Sequence, residues 1–180
     1  MLPELIAKNG STTFPDMLPL LVANEASLDE LNERLDKKTG KEITIERFRP
    51  NIIVRGDSTA WAEDSWKTVR ISSVVPDPLP SGGIIDYLMG SAAFESGEID
   101  VHIRLRCARC QVPNVEPNTA VKDKHEPWDT LVSYRRIDKG IKFKPCFGML
   151  GLTKTEGIIE VGMSLEVVEK TDKHNYKTSV

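Results

Sequence analysis

The chain has 180 residues, of which 39% are hydrophobic and 28% charged, a composition that predicts one globular domain with its own core. The net charge of −3 argues against a nucleic-acid binder, no apolar run is long enough for a transmembrane helix, and the N-terminus MLPELIAKNGSTTFPD lacks the features of a signal peptide. Three cysteines are too few for a secreted disulfide scaffold, so we expect an intracellular, reducing compartment.

The first part of the chain predicts a strand followed by a helix. The apolar run LPLLVA, residues 18–23, is typical of a buried strand. Ser27 and Glu30 have the spacing of a capping box, and leucines at 28, 31 and 35 recur on one helical face. Two lysines and then Gly40 predict the end of this helix.

Short strands are predicted for much of the remaining chain. The clearest is VHIRLRC (101–107), whose alternation places Val101, Ile103, Leu105 and Cys107 on one face. The other candidate strands are ITIERF (43–48), NIIV (51–54), WKTVRI (66–71), IKFK (141–144), CFGML (146–150), IIEVG (158–162) and SLEVVE (164–169).

The segment EPWDTLVSYRRI predicts a short helix with Pro127 in its first turn. Many short strands and few helices predict a mainly β fold of the α+β class, a closed or nearly closed β-barrel with helices packed outside. We expect the domain to span residues 13–170. Residues 73–98, rich in Pro and Gly at their start, are interpreted as an inserted surface loop, and 1–12 and 171–180 as flexible ends.

Cys107 and Cys110 form a lone C-x-x-C pair. Structural zinc usually needs a second ligand pair, and thioredoxin-like chemistry needs a helix after the motif, where this chain has a Pro- and Asn-rich turn. Cys107 fits the apolar face of its strand, whereas Cys110 falls in the polar loop beyond. Because Arg106 and Arg109 are close in sequence and positive charge favours a thiolate, Cys110 is the candidate reactive or ligating thiol.

Several stretches together resemble the C-terminal domain of MOSC proteins, in particular the amidoxime-reducing-component branch in its fungal form. They include RFRPNIIV (47–54), WAEDSW (61–66), RCARCQVPNVEPNT (106–119) and EPWDTLVSYRR (126–136). The resemblance implies a β-barrel that carries a molybdenum cofactor, Mo-molybdopterin.

In that family the second cysteine of the motif ligates the metal, and Cys110 occupies this position. The resemblance also implies that Ala108 and Arg109, and the pair Arg49 and Asn51, contact the pterin or its phosphate. Soft thiolate ligation suits a metal held by sulfur, and a guanidinium can bind a phosphate through two hydrogen bonds. The carboxylates of Glu63 and Asp64 are interpreted as structural, or as supporting the residues that contact the cofactor, and no catalytic role is assigned to them.

The chain departs from the family pattern at three places. Met17 and Leu18 stand where many relatives have hydroxyl residues, and neither side chain can donate a hydrogen bond. The resemblance also implies that the chain begins after an N-terminal domain that usually contributes further anchors for the cofactor phosphate. Residues 73–98 stand where relatives have a short connection, and our hypothesis is that they are a lineage-specific loop or an error in the gene model.

The implied function is reduction of small N-hydroxylated compounds by a molybdenum-dependent oxidoreductase, with electrons from a heme protein and a flavin reductase, in mitochondria or the cytoplasm. The alternatives are a sulfur carrier in cofactor maturation, with a persulfide on Cys110, and an inactive truncated fragment. Descriptions of the family also mention pyridoxal phosphate, but no lysine here stands in a setting typical of a Schiff base.

Five arginines offer a possible basic patch for the cofactor or for an acidic redox partner. The simpler alternative is that they are solvated surface residues. They are Arg104, Arg106, Arg109, Arg135 and Arg136.

Overall fold

A computed structural model of the protein describes residues 17–56, 59–73 and 98–174. Within these ranges six strands form one sheet in the order β2–β1–β5–β4–β3–β6. The strands are β1 Leu20–Asn24, β2 Ile52–Val54, β3 Trp66–Ser72, β4 Ile99–Ala108, β5 Cys146–Thr153 and β6 Ser164–Lys170, and the helices are α1 Glu25–Thr39 and α2 Trp128–Tyr134.

The mainly β, α+β class is therefore confirmed. The sheet curls into a half-barrel, with β2 and β6 as its edges in the described part of the chain. Neighbouring strands are antiparallel except for β1 and β2, which run parallel with Val22 opposite Ile52. Residues 74–97, most of the predicted insertion, lie outside the described residues.

Helix α1 begins two residues before the predicted capping box. Asn24 is its N-cap, and the Asn24 side chain accepts a hydrogen bond from the Ala26 amide at 3.1 Å. Ser27 lies inside the helix, so the predicted capping box is wrong. Gly40 ends the helix as predicted, at φ 65° with its amide donating to the Asp36 carbonyl.

Three of the predicted strands are not strands. ITIERF contains a 3₁₀ turn, Ile45–Phe48, because Ile45 and Phe48 are three residues apart and both are buried. IKFK forms turns, and IIEVG has no regular structure. Phe143 of IKFK is largely exposed and Val161 of IIEVG is fully exposed. Neither segment therefore has the buried face that a strand would provide.

A β-bulge divides the predicted apolar face of β4. Ile103 pairs with Gly151 and Leu105 pairs with Leu150, so Arg104 is an extra residue on β4. Val101 and Ile103 consequently pack in one buried cluster, and Leu105 in another with Cys107 against it. The prediction of a single apolar face was wrong, because the extra residue shifts the alternation of side chains and the residues before and after it pack in different clusters.

A second bulge lies on β5, beside the end of β4. Arg106 pairs with Met149 and Ala108 with Cys146, which leaves one extra residue on β5. Gly148 lies in this bulge with φ 74°, and a Cβ there would be 2.9 Å from the Val22 carbonyl oxygen. Only glycine allows the close approach of β5 to β1 at this point.

The helices cover the sheet through an apolar cluster in which the Phe48 and Phe147 rings stack with centroids 3.7 Å apart. This contact attaches the 3₁₀ turn to β5. The buried members of the cluster are Ala23, Leu28, Leu31, Leu35, Ile43, Ile45, Phe48, Leu131 and Phe147.

Candidate functional site

The candidate site lies where β4 ends. Ala108 is the last residue of β4, and the Arg109 amide donates to the Pro145 carbonyl at 2.8 Å, which continues the pairing with the segment before β5. Cys110 follows and is exposed. The end of a paired strand thus delivers the Cys110 thiol to the surface.

The Arg109 side chain points into the protein. It is 8% exposed, and its guanidinium donates from Nη2 to the Phe48 carbonyl at 2.9 Å and from Nη1 to the Cys107 Sγ at 2.9 Å. The guanidinium carbon also lies 5.4 Å from the centroid of the Phe48 ring. Arg109 therefore connects the end of β4 to the 3₁₀ turn that precedes Arg49.

Arg49 and Asn51 have different surroundings. Arg49 is exposed with φ 56°, and its amide donates to the Glu46 carbonyl at 2.9 Å. The Asn51 Oδ1 accepts from the Leu21 amide at 2.7 Å, and the Asn51 amide donates to the Leu21 carbonyl at 2.9 Å. Asn51 thereby attaches the segment before β2 to β1, and its Nδ2 makes no hydrogen bond within the described ranges.

The structure brings the two predicted segments together but changes the role of one residue. Because Arg109 binds the Phe48 carbonyl, the Cys110 end of β4 lies beside the segment that carries Arg49. The charge expected to act on Cys110 is directed elsewhere, since the Arg109 guanidinium binds the Cys107 sulfur. The expected effect of the Arg109 charge on Cys110 was therefore wrong, and what distinguishes Cys110 is the exposure of its thiol.

The three cysteines differ in exposure: Cys107 is partly buried, Cys110 is exposed and Cys146 is buried. Burial raises the pKa of the Cys146 thiol to about 12. In the described part of the chain, no group of three or more His, Cys, Asp and Glu residues could hold a metal ion.

Most of the predicted basic patch is absent from the surface. Arg135 binds both carboxylate oxygens of Asp64, at 2.8 and 3.0 Å, and Arg106 lies 3.7 Å from Asp64 and 3.8 Å from Asp138. Arg106 and Arg135 are largely buried in this network, Arg109 is buried as described above, and Arg136 is exposed. The Asp64 carboxylate is thus held between two largely buried arginines.

Glu63 is fully buried beneath α1. Its Oε2 accepts from the Ser27 hydroxyl at 2.9 Å, and the same hydroxyl accepts from the Trp61 amide at 2.8 Å. Burial raises the pKa of Glu63 to about 7, against the opposing effect of the hydrogen bond from Ser27. The spacing of Ser27 and Glu30 predicted a cap, and a contact between residues 36 positions apart leaves no local pattern that could have predicted it.

His174 was also missed, since it falls in the end predicted to be flexible. It is 4% exposed, and its ring nitrogens lie 2.8 Å from the Trp66 carbonyl and 3.1 Å from the Arg104 carbonyl. Residues 175–180 lie outside the described residues, and flexibility there stays a prediction.

Two surface cavities lie elsewhere. One, of about 470 Å³, is bordered by Trp61, Arg106 and Lys170, and the other, of about 590 Å³, by Arg47 and Asn114. None of the five predicted site residues lines either cavity. Of these five residues, Arg49, Asn51 and Cys110 are exposed, and Arg109 is buried.

Comparison with known proteins identifies the class. Residues 9–166 match the model of the MOSC domain, and the chain belongs to the MOSC domain family. In the described part of the chain, no helix is both long enough and apolar enough to cross a membrane.

The predicted similarity to amidoxime-reducing components is confirmed. The chain is 34% identical over 166 residues to mitochondrial amidoxime reducing component 2 of Macaca fascicularis and 33% identical over 166 residues to that of Homo sapiens. It is 30% identical over 158 residues to mitochondrial amidoxime-reducing component 1 of Danio rerio. These alignments cover 88–90% of this chain and 39–40% of the relatives, so the chain spans about two fifths of their length.

Proposed function

We propose that this chain holds a molybdenum cofactor in an oxidoreductase that reduces N-hydroxylated compounds, with Cys110 as the protein ligand of the metal. The observation that carries the proposal is the exposure of the Cys110 thiol at the end of β4, beside the segment of Arg49 and Asn51. When bound, the cofactor supplies the redox-active metal at which the N–O bond is cleaved.

The available donors fit this cofactor. Cys110 offers a soft thiolate for a metal otherwise held by sulfur. Arg49 offers an exposed guanidinium for a phosphate, and Asn51 an Nδ2 donor for the edge of a pterin. The side chains of these three residues would contact the cofactor, whereas the side chains of Ala108 and Arg109 would not.

Arg109 is a positioning residue in this proposal. Its guanidinium is already committed to Phe48 and Cys107, so it would hold the strand end that presents Cys110 rather than bind a phosphate. Ala108 would approach the cofactor through its backbone. At the position of the missing hydroxyl residues, Met17 is 56% exposed and Leu18 is 6% exposed, so contacts there would be made by backbone groups.

The names of the relatives favour amidoximes as substrates and the mitochondrion as the compartment. Reduction of an N-hydroxyl group consumes two electrons and two protons and releases water, so the protein needs an electron donor. We assign that role to a heme protein that is itself reduced by a flavin reductase.

The test is to purify the chain from cells that make the cofactor and to measure its molybdenum by elemental analysis and its pterin by fluorescence after oxidation. Cys110→Ala should lose the molybdenum, whereas Cys107→Ala, the matched control, should keep it. The parent chain should contain near-stoichiometric molybdenum. It should also reduce a benzamidoxime when a chemical electron donor is supplied.

A second variant tests Arg49. Arg49→Gly removes the guanidinium but suits φ 56°, so the fold is retained and the pterin content should fall. Unchanged pterin content would remove Arg49 from the site.

A folded parent chain with neither molybdenum nor pterin would contradict the proposal. The exposed Cys110 is also suited to carry a persulfide, as a sulfur carrier would require. Mass spectrometry after incubation with inorganic polysulfide, whose S–S bond breaks as the persulfide S–S bond forms, would then show one added sulfur atom that is absent from Cys110→Ala. A chain that binds neither cofactor nor sulfur would be inactive.

A further inference from the structure

A strongly basic loop connects α2 to β5. This basic loop, residues 136–144, carries four exposed cations, and none of them forms an ion pair with another described residue. They are Arg136, Lys139, Lys142 and Lys144. The one acid of the loop, Asp138, is 1% exposed and faces Arg106 inside the protein. The loop thus presents positive charge on a chain whose net charge is −3.

An exposed aromatic side chain lies among these cations. Phe143 is 85% exposed and stands between Lys142 and Lys144. A phenylalanine in water gains free energy when a partner covers it, and exposed aromatic residues ringed by charged groups are typical centres of protein interfaces. The described part of the fold leaves Phe143 without such cover.

The base of the loop is held in place. The Cys146 amide donates to the Arg135 carbonyl at 3.0 Å, and the Arg135 Nε donates to the Cys146 carbonyl at 3.1 Å. Within the loop, the Gly140 amide donates to the Asp138 Oδ1 at 2.8 Å. These hydrogen bonds fix the backbone at the base of the loop, so a partner would lose free energy mainly in ordering the exposed side chains.

The loop also borders the candidate site. Pro145, the residue after the loop, accepts the hydrogen bond from the Arg109 amide, and Cys110 follows Arg109. A protein that docks on the basic loop would be next to the Cys110 thiol.

We infer that the basic loop is the docking surface for an acidic face of a partner protein, with Phe143 as its apolar contact. A membrane surface fits less well, because the loop contains no amphipathic helix and Phe143 is its single exposed aromatic residue. Nucleic acid fits less well because the chain is acidic overall. The inference goes beyond the proposed function, since it does not depend on bound cofactor.

The experiment measures binding of a fluorescein-labelled, glutamate-rich peptide with one tryptophan, by anisotropy at low and high salt. The double variant Lys142→Glu/Lys144→Glu should weaken binding about tenfold, since each exposed charge pair contributes about two- to fivefold. The matched control Lys37→Glu/Lys154→Glu changes the net charge equally at exposed sites outside the loop, and should weaken binding much less. Phe143→Ser should weaken it at high salt, where charge pairs are screened.

Equal losses in the two double variants would show general charge attraction and overturn the inference, as would parent-level binding by Lys142→Glu/Lys144→Glu. A second experiment measures binding of the same variants to equimolar phosphatidylcholine–phosphatidylserine vesicles by co-sedimentation. Loop-dependent binding to vesicles without loop-dependent binding to the peptide would assign the surface to a membrane and also overturn it. Circular dichroism of each variant checks that the fold is retained.

Discussion

Arg109→Ala should destabilise the fold far more than the loss of a surface arginine. The substitution removes two hydrogen bonds from a guanidinium that is 8% exposed, and leaves the Phe48 carbonyl without its partner. Hydrogen bonds to charged groups contribute about 1.5–3 kcal/mol each, so the free energy of unfolding should fall by about 3 kcal/mol. For a chain of this size that lowers Tm by roughly 10 °C.

Urea unfolding followed by circular dichroism measures this change, and Arg136→Ala is the matched control. Arg136 is exposed and makes one hydrogen bond, to the Val132 carbonyl, so its removal should cost less than about 1 kcal/mol. Arg109→Lys keeps the charge but loses the planar guanidinium, so its loss in the free energy of unfolding should lie between those of Arg109→Ala and Arg136→Ala. If Arg109→Ala and Arg136→Ala unfold at the same urea concentration, Arg109 does not hold the strand end, and its role as a positioning residue is refuted.

Three further predictions concern acid–base behaviour, thiol reactivity and the backbone. Because burial raises the pKa of Glu63 from 4.5 to about 7, the folded chain retains a proton there that the unfolded chain releases, and this contribution to stability declines as pH rises from about 4.5 to 7. Glu63→Gln should abolish that decline, worth up to about 3 kcal/mol, in unfolding measured across this pH range. A disulfide reagent should modify Cys110 first and Cys146 last, and Cys110→Ser should remove the fast phase seen in absorbance. Gly148→Ala should destabilise the chain more than Gly40→Ala in urea unfolding, since both have positive φ but only Gly148 has a backbone carbonyl 2.9 Å from the added Cβ.

Each of these has a contrary result. An unchanged pH slope in Glu63→Gln would place the pH dependence on other groups. A fast phase that persists in Cys110→Ser would show that another thiol is the accessible one. Equal costs for the two glycine substitutions would mean that β5 and β1 move apart freely at the bulge.

Local patterns predicted much of the secondary structure. The apolar run before α1, the three leucines of that helix and its glycine C-cap all lie as expected, because each depends on residues within one or two turns of one another. The strand at 101–107 was found by its alternation, but the bulge at Arg104 was not. A bulge depends on the residue count of the partner strand, which no single strand contains.

The candidate site shows the same division. The Cys110 position followed from the motif and from the loss of alternation beyond Cys107, and the segment of Arg49 and Asn51 followed from resemblance. That these segments meet depends on the Arg109 contact with Phe48, between residues 61 positions apart. The sequence pattern could not show that the Arg109 guanidinium faces inward.

The sequence by itself determined the mainly β class, the main helix and the family, because periodicity, caps and motifs are properties of neighbouring residues. Only the tertiary structure decided which charges reach the surface. It buries Arg106, Arg109 and Arg135 against partners distant in sequence, and leaves the cations of the basic loop exposed. The physical reason is that a buried guanidinium must be paired, and its partners are brought to it by the fold of the whole chain.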